Sequence, residues 1–414
     1  MSQENYRAIE RCRVGRKADL VSVLNLGEQA LTGVFPETKA EPVTSGPLEL
    51  VWSPSSGLLQ LKHSYEPGEM YGDNYGYRSG LNQSMVAHLT NKVRYLERFA
   101  NLEDGDTVLD IGSNDCTTLK AYSTRGLCRI GIDPTARKFS NYYPTDIKFV
   151  PDFFSSSCYR RETQSPAKVV TSIAMFYDLE DPAAFAREVS EILSDNGVWH
   201  FEQSYMPSML RTNSYDTICH EHVEYYSLGV VEKILSSAGL KIIDVAMNNI
   251  NGGSFAVTAT KKQNQSFGAN QVVIDWLLEQ EDRMGLSTPR PYREFEERVF
   301  RHREDLSRLV RSLADDGKKI FGYGASTKGN VLLQFCGFGP DEIPCIAEVN
   351  EEKFGRVTPG THIPIISEAA ARAGNPDYFL VLPWHFKDNI LRREQDYLNG
   401  GGKFIFPFPE IEII

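Results

Sequence analysis

Between residues 106 and 262, short apolar runs recur at regular intervals, each followed by a stretch with helical spacing. The runs TVLDIG, CRIGID, KVVTSIAMF, GVWHFEQ, KIIDVAM and SFAVTAT read as strands. Strands that alternate with helices bury their apolar faces in an α/β sheet. The same rhythm resumes at residue 319 with KIFGYGAS, IPCIAEV, YFLVLPW and KFIFPFP, which predicts a second, smaller α/β unit. Residues 271–316 lie between, charged but apolar at helical spacing, and predict a connecting helix pair. Residues 1–70 mix LVSVLNLG, LELVWS and LLQLKHS with turn residues, the pattern of a small β-rich module. The connector MYGDNYGYRSGLN follows, then QSMVAHLTNKVRYLERFANL, a helical pattern with Ser84 as its expected cap. The expected division is 1–80, 81–268 and 269–414.

The length of 414 residues fits two or three domains, and 41% hydrophobic with 24% charged residues permits well-filled cores. Net charge is −11 with no basic run. Nucleic-acid binding needs clustered Lys and Arg, so that class is set aside. No apolar stretch is long enough to span a membrane, and no apolar signal region follows Met1. Seven scattered cysteines do not form a disulfide framework. The expectation is a soluble, cytoplasmic protein in a reducing compartment.

Three stretches carry candidate chemistry. In TVLDIGSNDCTTL, Asp110 ends a strand and Gly112 lets a ligand approach the backbone. About 20 residues on, Asp133 of IGIDP is placed to accept ribose hydroxyls. Asp152 and Phe153 of PDFF offer a polar group and an aromatic face for adenine, and Asn114, Pro134 and Met175 complete the set. A plain tight turn also fits the glycine pattern, but the acidic second strand end favours an adenosine ligand. Cys116 falls near the third glycine of a dinucleotide fingerprint, which argues against NAD and for S-adenosylmethionine. In KIFGYGASTKGN, a second strand–Gly turn–helix places Lys328 near a helix start, where a phosphate would find backbone N–H groups. Asn350, Lys353 and Arg356 follow the next strand, with Tyr323 and Asn330 beside the turn. Taken alone, that segment slightly favours a plain packing unit with exposed basic side chains. In ICHEHVEYYS, His220 and His222 flank Glu221. On a strand the two histidines would share a face. A metal pair, a packed segment and an acid–base cluster all remain open; a lone histidine is more often structural, and the position near a sheet's C-terminal rim makes the last plausible.

Several motifs occur in order: LDIGSNDCTTL, MFYDLEDP, NSYDTICHEHVEYYSL, NGGSFAV, GYGASTKGN, KFGRVTPGTHIPI and GGKFIFPFPEIEI. Together they resemble the three-domain S-adenosylmethionine-dependent sugar C-methyltransferases of deoxysugar biosynthesis, from about Cys12 to the C-terminus. The resemblance implies an N-terminal zinc module, a central Rossmann-like class I methyltransferase domain and a C-terminal Rossmann-like domain that helps bind a nucleotide-sugar. It implies S-adenosylmethionine as cofactor and a nucleotide-linked ketosugar, or a related small molecule, as partner, with the chain a monomer or homodimer. It places the base at His222, with Glu221, His220 and Tyr77 of YRS around it. The substrate-binding set it implies is Tyr323, Lys328, Asn330, Asn350, Lys353 and Arg356. The family's frequent tyrosine is Cys219 here, and its frequent histidine before GGS is Asn251. Of its four zinc thiolates only Cys12 is present; Gly15, Ser53 and Ser56 hold the other places, and His63 would bring the ligands to two. No zinc is expected, since a tetrahedral thiolate site cannot be built from Ser and Gly. The expected reaction removes a proton beside a ketone, stabilises the enolate and methylates its carbon. An O- or N-methyltransferase and a non-catalytic nucleotide-sugar binder are the alternatives.

Overall fold

The computed structural model describes residues 5–70 and 77–414, apart from the side chains of Pro67 and Ala136. Connector residues 71–76 lie outside the described residues. The central sheet has seven strands in the order Leu240–Asn248, Ser254–Lys261, Leu193–Ser204, Ala167–Ile173, Thr107–Ile111, Cys128–Ile132 and Ile147–Val150. Only Ser254–Lys261 runs antiparallel to its neighbours. This order and direction are those of a class I methyltransferase. Every residue of Thr107–Ile111 is buried, because helices cover both faces of a parallel sheet. That is why its strands read as near-continuous apolar runs. From Thr107–Ile111 the chain winds outward one way, then returns to Ala167–Ile173 on the other side. The resulting switch point lies between these two strands, where α/β folds bind ligands.

The smaller sheet orders Ile365–Ser367, Ile346–Glu348, Ile320–Tyr323, Tyr378–Val381, Lys403–Phe406 and Glu412–Ile413. Its switch point falls between Ile320–Tyr323 and Tyr378–Val381. There Gly324 has φ +80°, and a Cβ on it would come within 2.7 Å of Pro383. The helix pair appears as Gln271–Met284 and Arg290–Asp315. The helix after the connector is Gln83–Phe99, but its cap is Asn82, whose side chain accepts from the Ser84 N–H. Ser84 is thus inside the helix, because Asn82 is the residue with extended backbone and a free acceptor.

The N-terminal strands Val21–Ala30, Ser45–Trp52 and Leu59–Leu61 form an antiparallel meander. Its fourth strand is Glu224–Tyr225, which pairs with Gln60 and Leu59. The strand that completes the module therefore belongs to the ICHEHVEYYS stretch. The module also docks on the C-terminal unit. Gln334 exchanges hydrogen bonds with both the N–H and the C=O of Ala30, and Asn330 Nδ2 donates to Thr32 O at 2.7 Å. One core joins all three parts, with Leu24, Leu50 and Trp52 packed with Ile218, Cys219 and Val223 and with Val331 and Leu333. Each such side chain contributes about 1.5–3 kcal/mol by leaving water. Among the described residues, no helix is long and apolar enough to cross a membrane.

Candidate active site

The cofactor side follows from the ends of the parallel strands. Asp110 is buried and its Oδ1 accepts from the Thr171 hydroxyl; burial pushes its carboxyl up to about 7. Gly112 has φ +76°, a conformation L side chains rarely adopt, and a Cβ there would meet Met175 Cγ at 3.1 Å. Asn114 (φ +48°) donates its N–H to Asp133 Oδ2 at 2.7 Å. Asp133 Oδ1 accepts from the Thr135 N–H and hydroxyl. The carboxylate keeps lone pairs beyond these three bonds, as a ribose diol requires. Pro134 opens the short helical turn that carries Thr135. Asp152 Oδ1 accepts from the Phe153 N–H, and the Phe153 ring is 55% exposed at the same rim. Tyr77 sits on this side. Asn114 Nδ2 donates to Tyr77 O at 3.2 Å, and the tyrosine is 49% exposed.

The histidine motif is a turn, closed by the His222 N–H on Cys219 O at 3.1 Å. Its side chains therefore diverge instead of sharing a face. His220 is fully buried toward the N-terminal module, edge-on to Tyr65 at 4.6 Å. Glu221 reaches the Thr32–Gly33 loop, where a Cβ on Gly33 would fall 2.3 Å from Glu221 Oε1. Its carboxyl is raised by burial. His222 faces a narrow cavity lined by Tyr177, Ser204, Met206, Met209, Thr217, Glu224 and Tyr225. The structure thus separates the four residues expected to act together: only His222 enters this cavity.

The His222 ring stacks against Tyr177, centroids 4.2 Å apart, and its Nδ1 bonds to Thr217 O at 3.0 Å. A carbonyl can only accept, so Nδ1 carries the proton and Nε2 holds the free lone pair. Burial, and then the nearby Lys328 ammonium, hold this imidazole down to about 3. It is neutral at physiological pH. Around it, Ser204 Oγ, Thr217 Oγ1 and Glu224 Oε1 are buried without hydrogen-bond partners among the described residues. Buried polar groups are rarely left unpaired, so this lining is suited to a polar ligand. Met175 and Tyr177 are two residues apart, and so tie the cofactor turn to the base.

The second Gly turn delivers one residue here. Helix Thr327–Cys336 packs on the turn Tyr215–Thr217, and Lys328 Nζ donates to Asn251 O at 2.8 Å. Asp216 Oδ2 accepts from Trp384 Nε1 at 2.7 Å, and burial pushes its carboxyl up to about 6 against the pull of Lys328. The other expected substrate residues are placed elsewhere. Tyr323 donates its hydroxyl to Glu394 at 2.8 Å within an ion-pair network. Asn350 caps the turn Glu351–Lys353. Lys353 donates to Ala325 O and lies over the Phe35 ring at 4.3 Å. Arg356 donates to Phe35 O at 2.9 Å, and Asn330 holds Thr32. Lys353, Arg356 and Asn330 thus contact the N-terminal module.

Sequence reasoning missed Tyr177, Thr217, Glu224, Asp216 and Trp384. The first lies just past a strand end in MFYDLEDP, a position that could have flagged it. Thr217, Asp216 and Glu224 flank His222 in the same segment, and Trp384 reaches the site through packing between units.

The zinc-ligand positions converge in space. Cys12 Sγ lies 3.1 Å from Ser56 Oγ, and a Cβ on Gly15 would be 3.1 Å from Ser56 Cβ. Ser53 donates instead to Asp19 Oδ1 at 2.7 Å. His63 packs on Tyr6. One thiol and two hydroxyls do not fit structural zinc, and no group of three metal-ligating side chains occurs among the described residues.

Three family models match in sequence: "Putative zinc binding domain" at residues 12–71, "Methyltransferase domain" at 86–245 and "C-methyltransferase C-terminal domain" at 249–409. The C-methyltransferase NovU of Streptomyces niveus is 32% identical over 416 aligned positions, covering 100% of this chain and 98% of its own. Among solved structures, magnesium protoporphyrin IX methyltransferase of Synechocystis, with bound SAM, is 13% identical. It covers 43% of this chain and 79% of its own, with a TM-score of 0.33. The CcbJ methyltransferase of Streptomyces caelestis is 10% identical, covering 42% and 89%, with a TM-score of 0.31.

Proposed function

Because the chain belongs to the S-adenosylmethionine-dependent C-methyltransferases, we propose that it methylates a carbon beside a ketone on a nucleotide-linked sugar. S-adenosylmethionine supplies a methyl group on a sulfonium, a strong electrophile. The protein's task is to make the acceptor carbon a nucleophile. His222 does this as general base: its Nε2 lone pair takes the proton from the carbon next to the ketone. The observation that carries this reading is the Nδ1 bond to Thr217 O, which fixes the tautomer and leaves Nε2 free in the cavity. Tyr177 holds the ring face. Lys328 disfavours the resting imidazolium, so the base is available over a wide pH range. A base of low basicity works here only if the developing anion is itself stabilised.

The cofactor residues proposed are Asp110, Gly112, Asn114, Asp133, Pro134, Asp152, Phe153 and Met175. Asp133 takes the ribose and Phe153 offers its exposed face to the adenine.

The test is methyl-labelled S-adenosylmethionine with a panel of nucleoside-diphosphate ketosugars, the product read by NMR. A methyl on the carbon adjacent to the ketone is expected. A methyl on oxygen or nitrogen, or binding of every acceptor without turnover, would contradict the proposal.

A further inference from the structure

His222 can remove a proton, but the cavity must also meet the charge that appears on the ketone oxygen. Tyr77 and His220 are not among the residues that line this cavity. Glu224 lines it with His222, and it is 1% exposed. Its Oε2 accepts from the Tyr226 hydroxyl, while its Oε1 is buried without a partner among the described residues. Its position is set by the N-terminal module, through the pairing of Glu224 with Gln60. Gln60 in turn accepts from the Arg13 N–H at 3.0 Å, and Arg13 lies in the turn that carries Cys12.

We propose that Glu224 is the acid partner of His222, its Oε1–H donating to the ketone oxygen as the enolate forms. This rests on the C-methylation reading above. The groups facing Glu224 are Tyr226, Arg13, Glu180 and Cys12. Burial raises the carboxyl well above its usual range and outweighs the opposing pull of Arg13. A neutral carboxylic acid held in an apolar site is an established donor to a developing oxyanion. The protons balance. The C–H bond breaks and His222 Nε2 gains the proton. The C–H pair becomes the C=C bond, and the carbonyl π pair moves to oxygen, which takes the Glu224 proton. When the carbon is methylated the carbonyl re-forms and that proton returns to Glu224. His222 then releases its own to water. On this reading the N-terminal module has a task, which is to position the Glu224 carboxyl through the pairing with Gln60.

The test uses the full-length protein in D2O with a nucleoside-diphosphate 4-keto-6-deoxyhexose, and without a methyl donor. Wild type is expected to exchange the proton beside the ketone. Glu224→Leu removes the donor and should slow exchange by about 10²–10³-fold, the range for losing one oxyanion donor. Glu224→Gln keeps an N–H donor and should fall between. S-adenosylmethionine affinity, measured by calorimetry, should be unchanged in both. An infrared difference spectrum, wild type minus Glu224→Gln, should contain a protonated carboxylic acid band at neutral pH. Wild-type exchange rates in Glu224→Leu would overturn the assignment. If that variant does not fold, a purely ionised carboxylate band in the infrared difference would overturn it. Absence of exchange in wild type itself would strike the C-methylation reading instead.

Discussion

An imidazole whose Nδ1 proton is committed to a carbonyl can act as a base only through Nε2. His222 meets that condition with Thr217 O at 3.0 Å. Its depressed protonation, near 3 through burial and Lys328, sets a sign for the pH dependence. The base is neutral everywhere above that value, so the imidazole adds no inflection to proton exchange between about pH 5 and 7, where Asp216, raised to about 6 by burial, is the titrating group. An inflection near the ordinary histidine value of about 6.5 that persists in Asp216→Asn would contradict the assignment. Asp133 gives a second residue-scale prediction. Asp133→Ala should weaken S-adenosylmethionine binding by roughly 1.5–3 kcal/mol, the worth of a charge-assisted hydrogen bond. The variant also frees the Asn114 N–H, so part of the loss comes through the turn. Unchanged affinity by calorimetry would remove Asp133 from the site. The cofactor turn was legible in the sequence because its requirements are local: a glycine at positive φ and acids at strand ends. The histidine motif was legible in type but not in arrangement. Two histidines at i, i+2 share a face only on a strand, and here a turn sends them to opposite sides.

At the scale of elements, the motif 218–227 is held by parts that are distant in sequence. Glu221 fills the space a side chain on Gly33 would take. Gly33→Ala should therefore push the carboxylate or the loop aside, at about 1–3 kcal/mol as for overpacked sites. Chemical denaturation would show the shift, and an unchanged midpoint would mean that the contact is slack. The strands themselves were readable, since parallel strands buried on both faces must be apolar throughout. The strand Glu224–Tyr225 was not. Two residues carry no periodicity, and their partners lie at Leu59 and Gln60. The same holds for Lys353 and Arg356. Their contacts with Phe35 could not be read, because a sequence does not show which loop will cover a basic side chain.

At the scale of the whole molecule, residues of all three units share one core cluster, and the cavity is lined by the central unit. The N-terminal module keeps the outline of a metal knuckle, but Cys12–Ser56 and Ser53–Asp19 contacts occupy it. Purified protein should contain no stoichiometric zinc by elemental analysis, and a chelator should leave its melting temperature unchanged. A tightly held zinc, or unfolding on chelation as structural zinc proteins show, would contradict this. The central claim is that His222 generates a carbanion-like carbon beside a ketone. The most direct measurement is deuterium incorporation at that carbon, followed by NMR with wild type and with His222→Asn. Wild type should exchange the proton and then methylate the same carbon. His222→Asn should lose both by about 10²–10⁴-fold while still binding S-adenosylmethionine. Exchange at the wild-type rate in His222→Asn would show that the proton leaves by another route, and that His222 is not the base.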